Sequence, residues 1–446
     1  MRKSIAPQLS LVPQNIVDHP HARELARMSE VLDKLPKAAE LIAQDLAKGT
    51  KATKAGRAGM SGEQVLRAAI LKQMHAWSYA DLTFGLADSP TFRTFCRIGM
   101  VDEAPKKATL ADNIKRVKPE TMEAINKLII GRAKTMGVED GKKVRIDSTV
   151  IDSNIHHPLD SNLLFDVVRV LTRMLGQSEE MSSQVKFSDH TKRAKRRMLD
   201  VLNARSMERR VPIYRELVEI TGWTMGYATK ARSVLKTLSN LSAWAMADLL
   251  DHYLELGKKV IDQTERRVLR GESVPATEKV VSIFEPHTDV IVKDRRETLY
   301  GHKVFLNVGA SGMVLDLLME RGNPADATRA IPMLERHRAL TGKAPRQVAF
   351  DAGFTSAANV ENARKLGVKE ASFAKKGSID VLAGVLSPKQ HKKLQRFRAG
   401  VEGVISFAKR CFGFARCLWR GYRSFHAYAW AAVVSTNLLL LARQTM

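Results

Sequence analysis

The chain has 446 residues, 44% hydrophobic and 27% charged, with a net charge of +25 and a pI near 10.0. This composition excludes a disordered or fibrous chain and gives room for roughly two to four domains. The positive excess is spread over several segments, which excludes an indifferent surface and attracts a polyanion. Nucleic acid is the leading choice, because each neutralised phosphate releases condensed counterions.

Residues 1–20 hold three prolines without clear periodicity and read as an extended arm. The segment KGTKATKAGRAGMSG reads as a basic, glycine-rich linker. Ser61 then opens a capping box with Gln64, ahead of an amphipathic helix carrying Val65, Leu66, Ala69, Ile70 and Met74. Ser78 caps a second helix, Ser89–Pro90 starts a third, and a further pair runs from about Leu110 to Met136 with Pro119 at its restart. The region 60–140 is therefore expected to be an all-α N-terminal domain. Helix-turn-helix DNA binding, dimerisation and plain scaffolding all share that pattern.

At Lys142–Ile151, KKVRIDSTVI, the period changes to two, with Arg145, Asp147, Thr149 and Ile151 on one face. From Ser161 to about Gly271 the pattern is helical again. Within 186–236 there are thirteen Lys/Arg against five Asp/Glu, and five bases stand together in 192–197: Lys192, Arg193, Lys195, Arg196 and Arg197. Such a run is either a solvated face or a surface for DNA phosphate. Strands are expected at Lys279–Phe284, His302–Ala310 and Val314–Glu320, with Ser311–Gly312 turning a hairpin. A helix from Pro324 to about Leu340, a strand Arg346–Phe350 ending on Asp351, a helix Ser356–Leu366 and a strand Glu370–Ala374 follow. The order describes a mixed α/β core, 141–160 with 279–446, interrupted by a basic helical insertion at 161–278, with 1–59 as arm and linker.

Between Lys375 and Arg423 stand twelve Lys/Arg and two acids, Asp380 and Glu402. On a helix, Arg398, Glu402 and Lys409 share one face beside an apolar stripe of Leu394, Phe397, Val401, Ile405, Ala408 and Phe412. The triplet alone reads as an i,i+4 surface pair or as a charged edge over a core. Asp147 inside one strand and Asp351 at the end of another alter that choice, because ligands gather at strand ends of open sheets. Three clustered carboxylates repel and need a counter-cation. Mg²⁺, with Mn²⁺ as a substitute, suits a few carboxylates plus phosphate oxygens, and two such ions serve phosphoryl transfer.

RIDSTVI, NIHHPLDSNLL, HTDVIVKDRRETLYGHKVFL, GNPAD, AFDAGF and RFRAGVEGVISFAK together make residues 60–445 resemble a bacterial insertion-sequence transposase of the DDE type. The resemblance implies a ribonuclease-H-like catalytic core with Asp147, Asp351 and Glu402 as catalytic, metal-holding acids. It implies Arg398 and Lys409 as the bases of an R-x3-E-x6-K signature. It further implies cleavage at terminal inverted repeats, 3′-OH strand transfer into target DNA, a homodimer on DNA, and a cytoplasmic, nucleoid-associated place in a bacterium. One departure is Gln395, where relatives carry a tyrosine three residues before the arginine. The alternatives are a metal-dependent nuclease that cuts without joining and a non-catalytic DNA-binding repressor.

Other features carry less. Asp152 is a weaker candidate for the first acid, and His156, His157, His287 and His302 lack metal-ligand spacing. Cys96, Cys411 and Cys417 are an odd number without zinc spacing, which fits a reducing compartment, and the N-terminus lacks a signal-peptide apolar core. The apolar run Ala427–Ala442 includes Ser435, Thr436 and Asn437, is short for a membrane span, and reads as a buried helix with no membrane partner. Trp223, Trp244, Trp419 and Trp430 read as core aromatics, with stacking on a displaced base as the other role for Trp419.

Overall fold

The computed structural model describes residue 4 and residues 17–48, 59–99, 101–293 and 297–444. Most of the expected arm and basic linker, 1–3, 5–16 and 49–58, lies outside the described residues. Two compact units divide the chain: Met1–Asp152 with His302–Met446, and Ser153–Gly301.

In the first unit, helices α1 (Pro20–Asp33), α2 (Pro36–Ala47), α3 (Gly62–Met74), α4 (Tyr79–Asp88), α5 (Pro90–Phe95), α6 (Lys107–Ile114) and α7 (Pro119–Thr135) precede strand β1 (Lys143–Ser153). Short polar signals set their starts. The Ser61 hydroxyl accepts from the Gln64 amide while the Gln64 side chain accepts from the Ser61 amide, and Ser78 with Asp81 repeats the arrangement for α4. These helices do not form a core of their own. Met28, Ile42, Leu66 and Ile129 belong to one apolar cluster with Phe305 and Val348 from the sheet and Trp430 from the C-terminal helix.

The second unit holds α8 (Asp160–Met181), α9 (Thr191–Asn203), α10 (Met207–Thr237) and α11 (Leu241–Thr264), packed around Leu163, Leu171, Leu217 and Leu250. Its boundaries, 153 and 301, are wider than the expected insertion. Strand β2 (Asp289–Lys293) pairs antiparallel with the opening residues of β3 (Glu297–Gly309), Asp289 opposite Gly301. The strand expected at 279–284 is instead irregular chain with bends. There, the Val280 N–H donates to Gln263 Oε1 at 2.9 Å and the Val280 carbonyl accepts from Gln263 Nε2 at 3.1 Å. A side chain takes the backbone groups that a neighbouring strand would have needed.

After β3 the first unit resumes with β4 (Val314–Met319), α12 (Ala330–Thr341), β5 (Gln347–Phe350), α13 (Ala357–Lys365), β6 (Glu370–Phe373), α14 (Pro388–Cys411), β7 (Arg416–Cys417) and α15 (Tyr422–Arg443). The helix expected to start at Pro324 begins later, after a 3-10 turn over Asp326–Arg329. Strand order is β4–β3–β1–β5–β6, with β7 on β1. β3 and β4 are antiparallel, whereas β1, β5 and β6 run parallel. The fold is mixed α/β, a ribonuclease-H-like core with a helical N-terminal region.

Helix α15 is apolar over most of its length, and 89% of its most apolar window is buried inside the fold. Asn437 explains the polar interruption in that helix. Its Nδ2 donates to Asn126 Oδ1 and to the Val314 carbonyl, both at 2.7 Å, and its Oδ1 accepts from the Val314 amide at 2.8 Å. The buried asparagine thus satisfies the start of β4 and ties it to α7.

Candidate active site

The register of β1 against β5 builds the first half of the site. Ile146 stands opposite Phe350, and each is followed by an aspartate. Adjacent strands lie about 4.8 Å apart, so Asp147 and Asp351 come side by side. Asp147 sits within β1 with its side chain 15% exposed, and Asp351 caps the 3-10 turn Ala352–Phe354.

Helix α14 supplies the second half. Leu394 is buried against Ala349 and Val385, with Phe397 packed beside them, and Val401 and Ala408 join the main core. This fixes the rotation of the helix and leaves Glu402 exposed at its edge. The Arg398 guanidinium lies 3.5 Å from Asp351 Oδ1, 3.8 Å from Glu402 Oε1 and 3.9 Å from Asp147 Oδ2. Three acids from three elements therefore converge on one cation.

Burial raises the Asp147 pKa to about 6. The Ser148 amide, donating to Asp147 Oδ1 at 2.7 Å, and Arg398 oppose that rise, while the negative charges of Asp351 and Asp326 add to it. The donor set is all oxygen, as a hard divalent ion requires. Among the described residues, no three His, Cys, Asp or Glu side chains stand close enough to share an ion. The acids converge instead on Arg398, and Glu402, 71% exposed, has room to reorient.

Arg145 is a site residue that sequence reasoning did not single out. It lies on β1 two positions before Asp147, on the same face, with its guanidinium 4.7 Å over the Phe397 ring and Nη1 donating to the Phe397 carbonyl at 2.9 Å. A Cβ on Gly400 would stand 2.2 Å from Arg145 Nη1, so any side chain at 400 would push the guanidinium out of its present seat. The signal in the sequence was a cation inside an apolar strand and a glycine two residues before Glu402.

Gln395, where a tyrosine was expected, faces inward. Its Nε2 donates to Ser372 Oγ at 2.9 Å and reaches the carbonyls of Ser372 and Phe350 at 3.3 and 3.4 Å. Lys409 is half-buried further along α14. Asp152 lies near the far end of β1, its amide donating to the Ala415 carbonyl.

The basic run occupies α9 in the second unit. Arg193 and Arg197 contact Glu216 at 2.7 and 2.6 Å, while Lys192, Lys195 and Arg196 are exposed. His156 lies 3.5 Å from Asp166, His287 lies 2.7 Å from Glu285, and His302 is buried against Tyr422 and Phe425. Trp419 is buried against Tyr428, which rules it out as an exposed stacking surface, and Trp430 is buried too. Trp223 and Trp244 depart from the expected core role, being 43% and 50% exposed. Both lie on helices of the second unit whose outer faces stay uncovered.

Comparison with known families gives two matches. Residues 286–438 match a family model described as a transposase DDE domain, and residues 13–116 match one described as a transposase domain. Neither the curated proteins nor the solved structures contain a match to this chain.

Proposed function

Because the chain belongs to the DDE-type insertion-sequence transposases and acts as a DNA transposase, we propose that Asp147, Asp351 and Glu402 are its catalytic acids. In this reading a water oxygen attacks a phosphodiester at the element end, the bridging 3′ oxygen leaves as a 3′-OH, and that hydroxyl then attacks a phosphodiester of target DNA, joining to its phosphorus while the target's own bridging 3′ oxygen leaves as a 3′-OH. The observation that carries it is the convergence of the three carboxylates on Arg398.

Asp147 and Asp351, with Glu402 once its exposed side chain reorients towards them, would hold Mg²⁺, or Mn²⁺ in its place, which would supply positive charge for the attacking and leaving oxygens. The protein's own groups do the rest. Asp147 and Asp351 are set by strand register, Glu402 by the packing of α14, and Arg398 orients Glu402 and contacts phosphate near the DNA end. Lys409 extends that phosphate track. Of the basic run Lys192, Arg193, Lys195, Arg196 and Arg197, the exposed Lys192, Lys195 and Arg196 form the DNA-backbone surface of the second unit, and Arg193 and Arg197, held by Glu216, support it. Two copies act together on a pair of element ends.

The test compares wild type with Asp147→Asn, Asp351→Asn and Glu402→Gln on DNA carrying the element ends. Each variant is expected to lose about 1,000-fold or more in cleavage and joining while still binding the ends. Retained activity in any variant removes that residue from the set. Cleavage by wild type without joining to target would identify a nuclease instead.

A further inference from the structure

A fourth acid lies against this site. Asp326 opens the 3-10 turn that follows β4, and Lys303 on β3 meets its Oδ1 at 2.7 Å. Both side chains are largely buried, Lys303 at 14% and Asp326 at 22% exposure. Lys303 Nζ also donates to the Pro324 carbonyl at 3.1 Å, so the lysine holds the loop at two points.

On its other side Asp326 touches the strand end that bears Asp351. A Cβ on Gly353 would stand 2.6 Å from Asp326 Oδ2. Gly353 has no unusual backbone angle, so close approach is what requires glycine here. Asn359 closes the same junction, its Nδ2 donating to the Ala327 carbonyl at 2.7 Å and to the Phe354 carbonyl at 2.8 Å. Asp326 is also near enough for its charge to act on Asp147.

A partly buried ion pair pays a desolvation penalty that neutral packing would avoid. Placing a further acid beside two others adds repulsion that Lys303 must offset. Its placement is accounted for if the pair holds the loop at a fixed distance from the carboxylates. We propose that the Lys303–Asp326 pair is a positioning device: pressed against Gly353, it fixes the turn that presents Asp351 to the reacting phosphate. The inference rests on the assignment of Asp351 as a catalytic acid.

The experiment uses the full-length protein, with Asp326→Asn, Lys303→Met, Lys303→Arg and Gly353→Ala beside Asp351→Asn. Four quantities are read: cleavage rate at saturating end DNA, end-binding affinity, thermal midpoint, and amide hydrogen exchange over 351–355 in the free protein. Asp326→Asn, Lys303→Met and Gly353→Ala are expected to cleave about 10–100-fold more slowly, as a small misplacement of a reacting group does. Their end binding should stay within about twofold, and exchange over 351–355 should quicken about tenfold while β1 keeps its protection. Lys303→Arg, which keeps the charge, should recover most of the rate.

Unchanged exchange over 351–355, or cleavage within about twofold of wild type in Asp326→Asn, overturns the proposal. So does a general loss of protection with a collapsed midpoint in all the neutralising variants, which would mark the pair as simple fold support. If Asp351→Asn still cleaves, the catalytic assignment itself fails. The exchange measurement on free protein then still reports separately whether the tether exists.

Discussion

The two compact units each place arginine among carboxylates, and they do so to different effect. In the first unit Arg398 meets three acids carried by a strand, a strand end and its own helix. In the second, Arg193 and Arg197 both turn to Glu216 on the neighbouring helix, and Arg197 also pairs with Asp200 on its own helix. Three acids around one arginine are not by themselves diagnostic, since Arg266 of the second unit also meets Asp262, Glu272 and Glu278; what sets Arg398 apart is that two of its acids are carried by neighbouring parallel strands. The arrangement around Glu216 is ordinary pairing within and between helices, and it leaves Lys192, Lys195 and Arg196 as the outward charge of α9. Net charge along a sequence therefore says little until the paired bases are separated from the exposed ones.

Among the tests of this contrast, Arg398→Ala is expected to have the largest effect. The variant leaves three carboxylates without their shared partner, and end cleavage is expected to fall about 100–1,000-fold. Arg398→Lys should recover only part of that, because a point charge cannot reproduce a planar fork that reaches several acceptors. Wild-type cleavage rates in Arg398→Ala would reduce the convergence to incidental surface pairing.

The outward face of α9 is tested by its salt dependence. Replacing Lys192, Lys195 and Arg196 together with alanine should flatten the slope of log binding constant against log salt by about 2.7 at most, roughly 0.9 for each phosphate that is no longer neutralised. Arg197→Ala sharpens the contrast from the other side. It breaks the pairs with Glu216 at 2.6 Å and Asp200 at 2.8 Å, so it should lower stability by less than about 1 kcal/mol and change the salt slope less than any one of the outward bases. An equal slope change would mean that Arg197 leaves Glu216 for DNA.

What could be read from sequence followed the range of each cause. Asp147 and Asp351 stood out because an acid inside one apolar strand and an acid ending another are local patterns, and the parallel register sets them side by side. The Arg398–Glu402 edge was legible for the same reason, being fixed by one helix period. Gln263 clamping Val280 was not, since it joins residues distant in sequence through a side chain, and it occupies backbone groups of a segment that was expected to be a strand. Arg145 against Gly400 and Asp326 against Gly353 are likewise approaches between distant segments, and their traces in the sequence, a glycine in each case and a cation inside an apolar strand in the first, do not say which segments meet. Apolar spacing placed Trp223 and Trp244 on helices, but periodicity does not say whether a neighbour covers the face they occupy.

Helix α14 repeats the contrast on a smaller scale, three residues apart. Arg398 faces the acids, whereas Gln395 is turned into the ends of β5 and β6, where Ser372 Oγ also contacts His391 Nδ1 at 3.0 Å. Gln395→Ala removes one donor from Ser372, but His391 still holds that hydroxyl. The cost in unfolding free energy should be about 1 kcal/mol, with end binding unchanged and cleavage reduced no more than about twofold. Gln395→Tyr should destabilise more and restore nothing, because a phenol ring must enter a space now filled by an amide between two strand ends. Faster cleavage or tighter end binding by Gln395→Tyr would show that the side chain at 395 reaches the DNA after all, and would move this position from the structural side of α14 to the functional one.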